Sequence, residues 1–478
     1  MSDYTFALID ETRGALIVDV TTDTHQKCLS INLDNRKYGT IAEIGAGQET
    51  ARWFFRAGGA AGTVAKAMSA YDMKFSDAIY GESPRYVSRA RLNQMLDIEY
   101  SLVIERLDKH RGAESTFFAF ANTVASRSYS RKQDGQGWLG VKFQTSPQQP
   151  PSRIDLHVYL SANDVLRDQE SLGILGVNLI YGAFQHHASP EALLKSLLDG
   201  LSSKLVEVDM VDFYGPAFET VDNRLMALRL VEYGLTSGAM FNAKGKVVQP
   251  ADALYNKAVL VERSRFRPPT LLNINMLDCA QRRFAEETGI PENDLVVISE
   301  MTLHNLREGE TIDTEDFLDR ADILCALGKN VLVSNMGEYY RLASYLLRCT
   351  RKPLSIVLGI PTLKQIFNEI YYENLQGGIL EAFGRLFKSD LRLYISPSLN
   401  PDGSVVTLDE FEPEPHLRHL FHYLRENRLV RALDTVNRDY LTIYADEVLR
   451  DIKAGQDGWR AKVPELVAQV IAEKDLFR

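Results

Sequence analysis

The sequence has little cysteine and no long apolar run. Its 478 residues include only four cysteines: Cys28, Cys279, Cys325 and Cys349. None forms a CxxC pair, and scattered thiols in a chain of this length indicate a reducing compartment rather than a disulfide framework. No stretch approaches the ~20 apolar residues of a transmembrane helix. Residues 1–19 carry acidic groups and no apolar core, so we expect no secretory signal and a cytoplasmic location.

An excess of positive charge is also lacking. The formal net charge is −10, and an acidic chain repels nucleic-acid phosphates and anionic membrane surfaces. We therefore expect no nucleic-acid partner and no membrane partner, although a local basic patch could bind a small phosphorylated ligand. The composition, with 45% hydrophobic and 25% charged residues, is that of a folded globular protein. The length predicts two or three domains.

The clearest pattern is an alternation of short β-branched runs with longer amphipathic segments. It predicts helices at 314–327, 338–348 and 363–372, and strands at 330–334, 354–358 and 391–395. Such alternation is typical of βαβ units, so we expect an α/β fold with a mostly parallel, Rossmann-like sheet. A barrel-like (β/α) core is the alternative. Further strands are expected at 176–180, 205–213, 258–262, 271–276 and 295–299.

Three domains are expected from this pattern. Residues 1–160 should form an α+β domain with glycine-rich loops, residues 161–400 the parallel-sheet domain, and residues 401–478 a helical C-terminal segment. Helices are expected there at 416–433, 441–452 and 463–471. Such a tail packs on its own body or on a second subunit, which makes a homo-oligomer a hypothesis. The candidate contact residues are Leu417, Leu420, Leu424 and Leu433.

Glycines are concentrated in the N-terminal part, in two loops that could bind phosphate. Glycine lets the backbone approach an anion, and a helix N-terminus adds free N–H groups. The pattern departs from the dinucleotide fingerprint, because Thr50 occupies the third glycine position and the acidic Asp72 follows Gly47 by 25 residues. It is no Walker loop either, because no glycine directly precedes Lys66. A tight strand–helix turn or a helix C-cap is the alternative. The residues expected to bind a nucleotide or dinucleotide cofactor, with Arg52 as a further cation, are Gly45, Gly47, Gly58, Gly59, Gly62, Thr63 and Lys66.

Polar residues follow the expected strands of the middle part, where open α/β sheets bind ligands. We take Glu300 and Asn335 as candidate catalytic residues, with Glu300 as a general base if burial raises its pKa. The alternative for each is a helix cap or a satisfied turn. The other strand-end residues are Asp209, Asp212, Glu262, Arg263, Asn275, Asp278, Ser299, Ser334 and Thr362.

Two further sets of residues are candidates for binding an anion or a metal ion. The basic segment at 127–132 could hold phosphate or carboxylate, or could be a solvated hairpin loop. His416, His419 and His422 are three residues apart, whereas zinc-binding pairs on a helix are usually four apart, as in HExxH. We therefore expect no metal site.

Two segments carry a resemblance to a known family. They are GAGQETARWFFRAGGAAGTVAKAMSAYD, which ends at Asp72, and ADILCALGKNVLVSNMGEYYRLASYLL, which begins at Ala321. The chain resembles an uncharacterised bacterial family of about this length, and the resemblance covers most of it. Proteins of that family carry the labels nicotinate-nucleotide adenylyltransferase and TonB-dependent receptor. The first label implies an HxGH motif and the second a signal peptide and an outer-membrane barrel. This sequence contains none of these, so the resemblance assigns no functional residue.

Two functional hypotheses remain open. The glycine-rich region beside a parallel α/β core favours a protein that binds a nucleotide or another phosphorylated metabolite. The helical tail and the lack of a complete catalytic motif favour a homo-oligomeric assembly protein without catalysis.

Overall fold

The structure is a computed structural model that describes residues 23–126, 135–162, 164–291 and 294–477. The basic segment at 127–132 lies outside the described residues. The chain forms two compact units. The first extends to Glu207 and includes Phe213–Thr220, and the second consists of Val208–Asp212 and the chain from Val221 onwards. The boundaries expected at residues 160 and 400 stay predictions. Within the described ranges, no helix has the length and apolar character needed to cross a membrane.

The first unit contains a mixed sheet. Its strands are β1 (Lys37–Gly45), β2 (Val64–Ala70), β3 (Thr116–Ala125), β4 (Gly135–Phe143) and β5 (Ser152–Leu160). They lie in the order β2-β1-β3-β4-β5. β1 is parallel to both β2 and β3, whereas β3, β4 and β5 are antiparallel neighbours. This confirms the α+β expectation for the N-terminal part.

Helices of the first unit lie before, between and after these strands in the chain. They are α1 (Thr24–Asn32), α2 (Glu49–Ala57), α3 (Met73–Tyr80), α4 (Arg89–Arg111), α5 (Val165–Gln185) and α6 (Pro190–Ser196). The strand expected at 176–180 is wrong, because those residues lie inside α5. Most residues of that helix are buried. Its apolar run is therefore not interrupted by polar residues at helical spacing, which is the pattern that identifies a helix in a sequence.

The second unit contains most of the remaining elements. After β6 (Val206–Tyr214), which the two units share, its strands are β7 (Gly238–Phe241), β8 (Val247–Val248), β9 (Ala258–Arg263), β10 (Leu295–Thr302), β11 (Arg307–Glu308), β12 (Thr311–Ile312), β13 (Asn330–Ser334), β14 (Leu354–Gly359), β15 (Leu391–Ser396), β16 (Ser398–Leu399), β17 (Val405–Val406) and β18 (Val430–Ala432). Its helices are α7 (Asn223–Glu232), α8 (Pro250–Ala253), α9 (Leu271–Thr288), α10 (Leu303–Leu306), α11 (Thr314–Ala326), α12 (Tyr339–Cys349), α13 (Ile360–Ile366), α14 (Gly378–Leu386), α15 (Arg418–Glu426), α16 (Ala445–Lys453) and α17 (Glu465–Lys474).

Eight of these strands form one mostly parallel sheet in the order β18-β15-β14-β9-β10-β13-β7-β8. The pairs from β18 through β13 are all parallel, and β7 and β8 add an antiparallel edge. If the six parallel strands are numbered along the chain, their spatial order is 3-2-1-4-5-6. This is the order of a doubly wound sheet, and the expectation of an α/β fold with a mostly parallel sheet is confirmed. The strand order reverses between β9 and β14.

The two faces of this sheet bury different apolar clusters. On β14, Leu354, Ile356 and Leu358 pack with α12 and α14, whereas Val357 packs with α9 on the other face. The alternation follows from the two-residue period of a strand. The strand expected at 271–276 is wrong, because those residues begin α9. Thr270 and Asn273 form a capping box that starts the helix there.

The C-terminal region, residues 401–478, is mainly helical, contains the two short strands β17 and β18, and belongs to the second unit. Leu417 and Leu424 are buried against the sheet, and Leu433 lies in the cluster on the opposite face. The expectation that the tail packs on its own body is confirmed. A helix through residue 433 is wrong, because Val430–Ala432 forms β18 and pairs with β15. The helix expected at 363–372 is likewise shorter, ending at Ile366 before a separate 3₁₀ turn.

Candidate functional site

Three neighbouring strands of the second sheet are joined at their carboxyl ends by a buried charge pair. Arg263, at the end of β9, donates from Nε and Nη2 to the two carboxylate oxygens of Glu300 on β10, both at 2.9 Å. Ser334, at the end of β13, donates its hydroxyl to Glu300 Oε1 at 2.6 Å. The same guanidinium donates to the carbonyl oxygens of Met336 and Gly337. Arg263, Glu300 and Ser334 therefore clamp β9, β10 and β13 together.

This geometry decides what Glu300 can do. Its side chain is fully buried, and both oxygens accept charge-assisted hydrogen bonds from Arg263. Arg263 and Ser334 together occupy both oxygens, and loss of this carboxylate would leave the buried arginine unpaired. The structure thus favours a clamping role for Glu300 over a general base. Asn335, the second candidate catalytic residue, follows Ser334 and is exposed, with its backbone N–H bound to Ser237 O.

A second carboxyl group at the same edge has a free oxygen. Glu262 lies next to Arg263 on β9 and is only 2% exposed. Its Oε1 accepts from Asn273 Nδ2 at 2.6 Å, and Asn273 also lies 3.4 Å from Ser264 Oγ. Glu262 Oε2 has no hydrogen-bond partner among the described residues, and neither has the buried hydroxyl of Ser299. Ser299 stands opposite Glu262 in the register of β9 and β10.

Burial determines the protonation of Glu262. Loss of solvent raises its pKa to about 8, against the opposing effect of the hydrogen bond from Asn273. The carboxyl is therefore mostly neutral at pH 7 and can donate a hydrogen bond from the oxygen that has no partner. A buried group with a pKa displaced in this way is characteristic of functional sites.

Glu262 also has the location expected of a ligand contact. It lies at the carboxyl end of the first parallel strand, where the strand order reverses between β9 and β14. Ligands of open α/β sheets bind in the crevice at this position. Asn273 and Ser264, both half-buried, extend a hydrogen-bonded chain outward from Glu262. We call Glu262, Ser264, Asn273 and Ser299 the crevice residues.

The other residues expected at strand ends are dispersed. Asn275 and Asp278 lie within α9, and Thr362 lies within α13. Asp209 and Asp212 are on β6, which is no strand of the eight-stranded sheet. The sequence pattern predicted Glu262 as one of several strand-end residues. It did not separate Glu262 from the others, because a pattern does not show which side chain is buried.

The loop at Gly45 and Gly47 is filled by side chains of the first unit. Gly45 has φ of 78°, and a Cβ atom there would lie 2.2 Å from Val124 O. A Cβ atom on Gly47 would lie 2.6 Å from Asn122 Oδ1. Both glycines are thus required for close backbone packing.

A carboxylate also stands where a phosphate was expected. The backbone N–H groups of Thr50 and Ala51, in the first turn of α2, donate to the buried carboxyl of Glu43 at 3.2 Å. Asn122 donates to the same carboxyl at 2.9 Å. Glu43 therefore already satisfies two of the N–H groups that a phosphate would use.

The second glycine loop is also tied to the protein. Asn32 donates to the carbonyl oxygen of Gly58, and the Gly62 N–H bonds Gly59 O. Thr63 is buried and donates to Ile31 O. Lys66 forms an ion pair with Glu99 at 2.6 Å. Binding of a cofactor by these two loops stays a prediction, and the structure provides a packing role for the residues concerned.

Comparison with known proteins leaves the function open. No protein-family model and no curated protein matches the chain. Among solved structures, one match is a chain from Vibrio parahaemolyticus provisionally named a nicotinate-nucleotide adenylyltransferase. It is 12% identical, covers 46% of this chain and 96% of its own, and has a TM-score of 0.20. A similarity at this level supports no conclusion about the fold or the function of this chain.

Proposed function

We propose that the second unit binds a nucleotide or another phosphorylated metabolite in the crevice between the carboxyl ends of β9 and β14. The observation that carries the proposal is Glu262, a buried carboxyl with an unpartnered oxygen at the point where the strand order reverses. A neutral carboxyl can donate to a carbonyl, a ring nitrogen or a hydroxyl of the ligand. Because it carries no charge at pH 7, it does not repel the ligand's phosphate.

A cation for the phosphate is available on the loop that follows β9. The side chain of Arg265 is 62% exposed, and its Nη1 lies 3.7 Å from the exposed carboxylate of Asp446. Exposed pairs of this kind contribute little, so exchange of Asp446 for a phosphate costs little. Arg265 thus supports a ligand with an anionic end, whereas Glu262 and Asn273 support a ligand with a polar, uncharged end.

The experiment is a ligand screen by thermal shift and calorimetry with ADP, NAD and glucose 6-phosphate. Binding to the native state raises the melting temperature. Glu262→Leu should weaken binding of a hit about five- to tenfold, the loss of one hydrogen bond. Glu262→Gln keeps a donor and should bind like the wild type. Asp278→Asn, an exposed change on α9, is the control.

A pH series distinguishes this role from simple packing. Ionisation above pH 8 removes the donated hydrogen and places a charge beside the ligand, so wild-type affinity should fall there, whereas that of Glu262→Gln should not. If none of the three compounds binds at millimolar concentration, or if affinity is independent of residue 262, the proposal fails.

A further inference from the structure

Arginines are concentrated at the opposite, amino edge of the second sheet. Arg392 is the second residue of β15, Arg431 lies on β18 and Arg283 lies near the C-terminus of α9. All three surround a single carboxylate, that of Glu287. We call these four residues the arginine cluster. It stands on elements of one unit and shares no residue with the crevice.

The geometry of the cluster shows three cations on one anion. Arg283 Nε lies 2.9 Å from Glu287 Oε1. Arg431 Nη1 lies 2.5 Å, and Arg392 Nη1 3.7 Å, from Glu287 Oε2. Tyr394 donates its hydroxyl to the same Oε2 at 2.6 Å. Glu287 thus has its oxygens filled, and its pKa is lowered although burial opposes ionisation, because Tyr394, Arg283 and Arg431 donate to the charged form.

Charge in the cluster is not balanced. Three guanidinium groups face the carboxylate of Glu287, and Asp390 lies 3.1 Å from Arg392, which leaves an excess of one positive charge. Asp390 is 53% exposed, so solvent weakens its contribution. Arg392 Nη1 is buried and has no hydrogen bond among the described residues. Buried donors normally have an acceptor, and the three guanidinium groups, held around one carboxylate, repel one another. The cluster therefore lacks an anion.

We propose that Arg283, Arg392 and Arg431 form a binding site for a phosphate group, either as inorganic phosphate or as a phosphate monoester. The negative charge of a phosphate group would offset the excess positive charge, and its tetrahedral oxygens can accept from several guanidinium groups at once, as in other arginine clusters that bind phosphate. The side chains are 15–35% exposed, so a ligand can reach them from solvent. The chain as a whole carries a formal net charge of −10, which repels anions, so a local excess of positive charge directs anions to this cluster.

The test is calorimetry of the full chain with inorganic phosphate, glucose 6-phosphate and acetate at constant ionic strength. Phosphate should bind at least about tenfold more tightly than the monoanion acetate. A monoester that binds more tightly than free phosphate identifies an ester as the source. Arg431→Gln should weaken phosphate binding about tenfold, whereas Arg282→Gln, an exposed neighbour of Arg283 on α9, should leave it unchanged.

Glu287→Gln should change the affinity for phosphate in the direction opposite to that of Arg431→Gln. It keeps the shape of the side chain but raises the excess charge from one to two, so phosphate should bind more tightly and should raise the melting temperature more than in the wild type. If the arginines serve only to hold Glu287, this variant loses stability and phosphate does not restore it. Equal binding of phosphate and acetate, or equal binding by Arg431→Gln and Arg282→Gln, would overturn the proposal. The result is independent of the crevice, because Glu262→Leu should leave the phosphate effect intact.

Discussion

Glu262 makes the stability of the second unit depend on pH in a direction opposite to that of most carboxyl groups. Its folded-state pKa of about 8 exceeds that of an unfolded glutamate, about 4.3. Between these values the folded state holds a proton that the unfolded state releases. Stability due to this group is therefore lost as the pH rises from about 4.3 to about 8, and it is constant outside that window.

The magnitude follows from the two pKa values. One pKa unit corresponds to about 1.4 kcal/mol, so the difference bounds the loss at about 5 kcal/mol. Structural relaxation on ionisation reduces it, and we expect on the order of 2–4 kcal/mol. Glu262→Gln mimics the neutral acid and removes the titration. The variant should match the wild type near pH 5 and should be more stable by that amount at pH 9.

The assay is urea denaturation followed by circular dichroism at pH 5, 7 and 9. Glu286→Gln, an exposed change on the same helix as Asn273, controls for the general effect of lost charge and should change little at any pH. If the free energies of unfolding of wild type and Glu262→Gln remain parallel between pH 5 and pH 9, then Glu262 is ionised in the folded protein. The interpretation of the crevice as a neutral, hydrogen-bond-donating site would then be refuted.

Three other substitutions test the roles assigned to buried groups. Arg263→Met leaves Glu300 as an unpaired buried charge and should cost about 3–5 kcal/mol in urea denaturation; a change below about 1 kcal/mol contradicts the clamp. Gly45→Ala forces a side chain into a left-handed conformation and against Val124 O, so the melting temperature should fall by several degrees. Glu43→Gln replaces one of the two oxygens that accept from the Thr50 and Ala51 N–H groups and should cost about 1 kcal/mol, seen as faster amide exchange in that helix; unchanged exchange would show that Glu43 does not hold it.

Much of the architecture could be predicted because its signals are local. The strands at 330–334 and 354–358 are β-branched runs between amphipathic helices, and the structure has them at Asn330–Ser334 and Leu354–Gly359. The errors have a common physical cause. A short apolar run inside a buried helix, as in α5, shows no period, and a three-residue strand such as β18 is set by pairing with β15 rather than by its own composition.

The candidate site was less predictable than the fold, because it depends on burial and pairing. Glu262 and Glu300 are both acidic residues near the ends of β9 and β10, and nothing in their local sequence separates them. In the structure the two differ in their partners. The guanidinium of Arg263 donates two hydrogen bonds to Glu300, whereas Glu262 accepts a hydrogen bond from Asn273. A choice between two carboxyl groups therefore requires knowledge of which one the arginine reaches. For the assembly hypothesis, three of the four candidate leucines, Leu417, Leu424 and Leu433, are buried within their own unit, and a homo-oligomer stays a prediction.

The glycine-rich loop illustrates how a phosphate-binding pattern can arise without a phosphate. A strand that turns sharply into a helix needs glycine wherever the backbone approaches a neighbouring strand, as Gly45 approaches Val124. The same turn exposes the first N–H groups of the helix, and these need an acceptor. A ligand can supply it, but so can a carboxylate on the strand itself. Glu43, two residues before Gly45, occupies that position. An acidic residue just before such a glycine pair is thus a sequence signal against an anion site, because its side chain reaches the amides first.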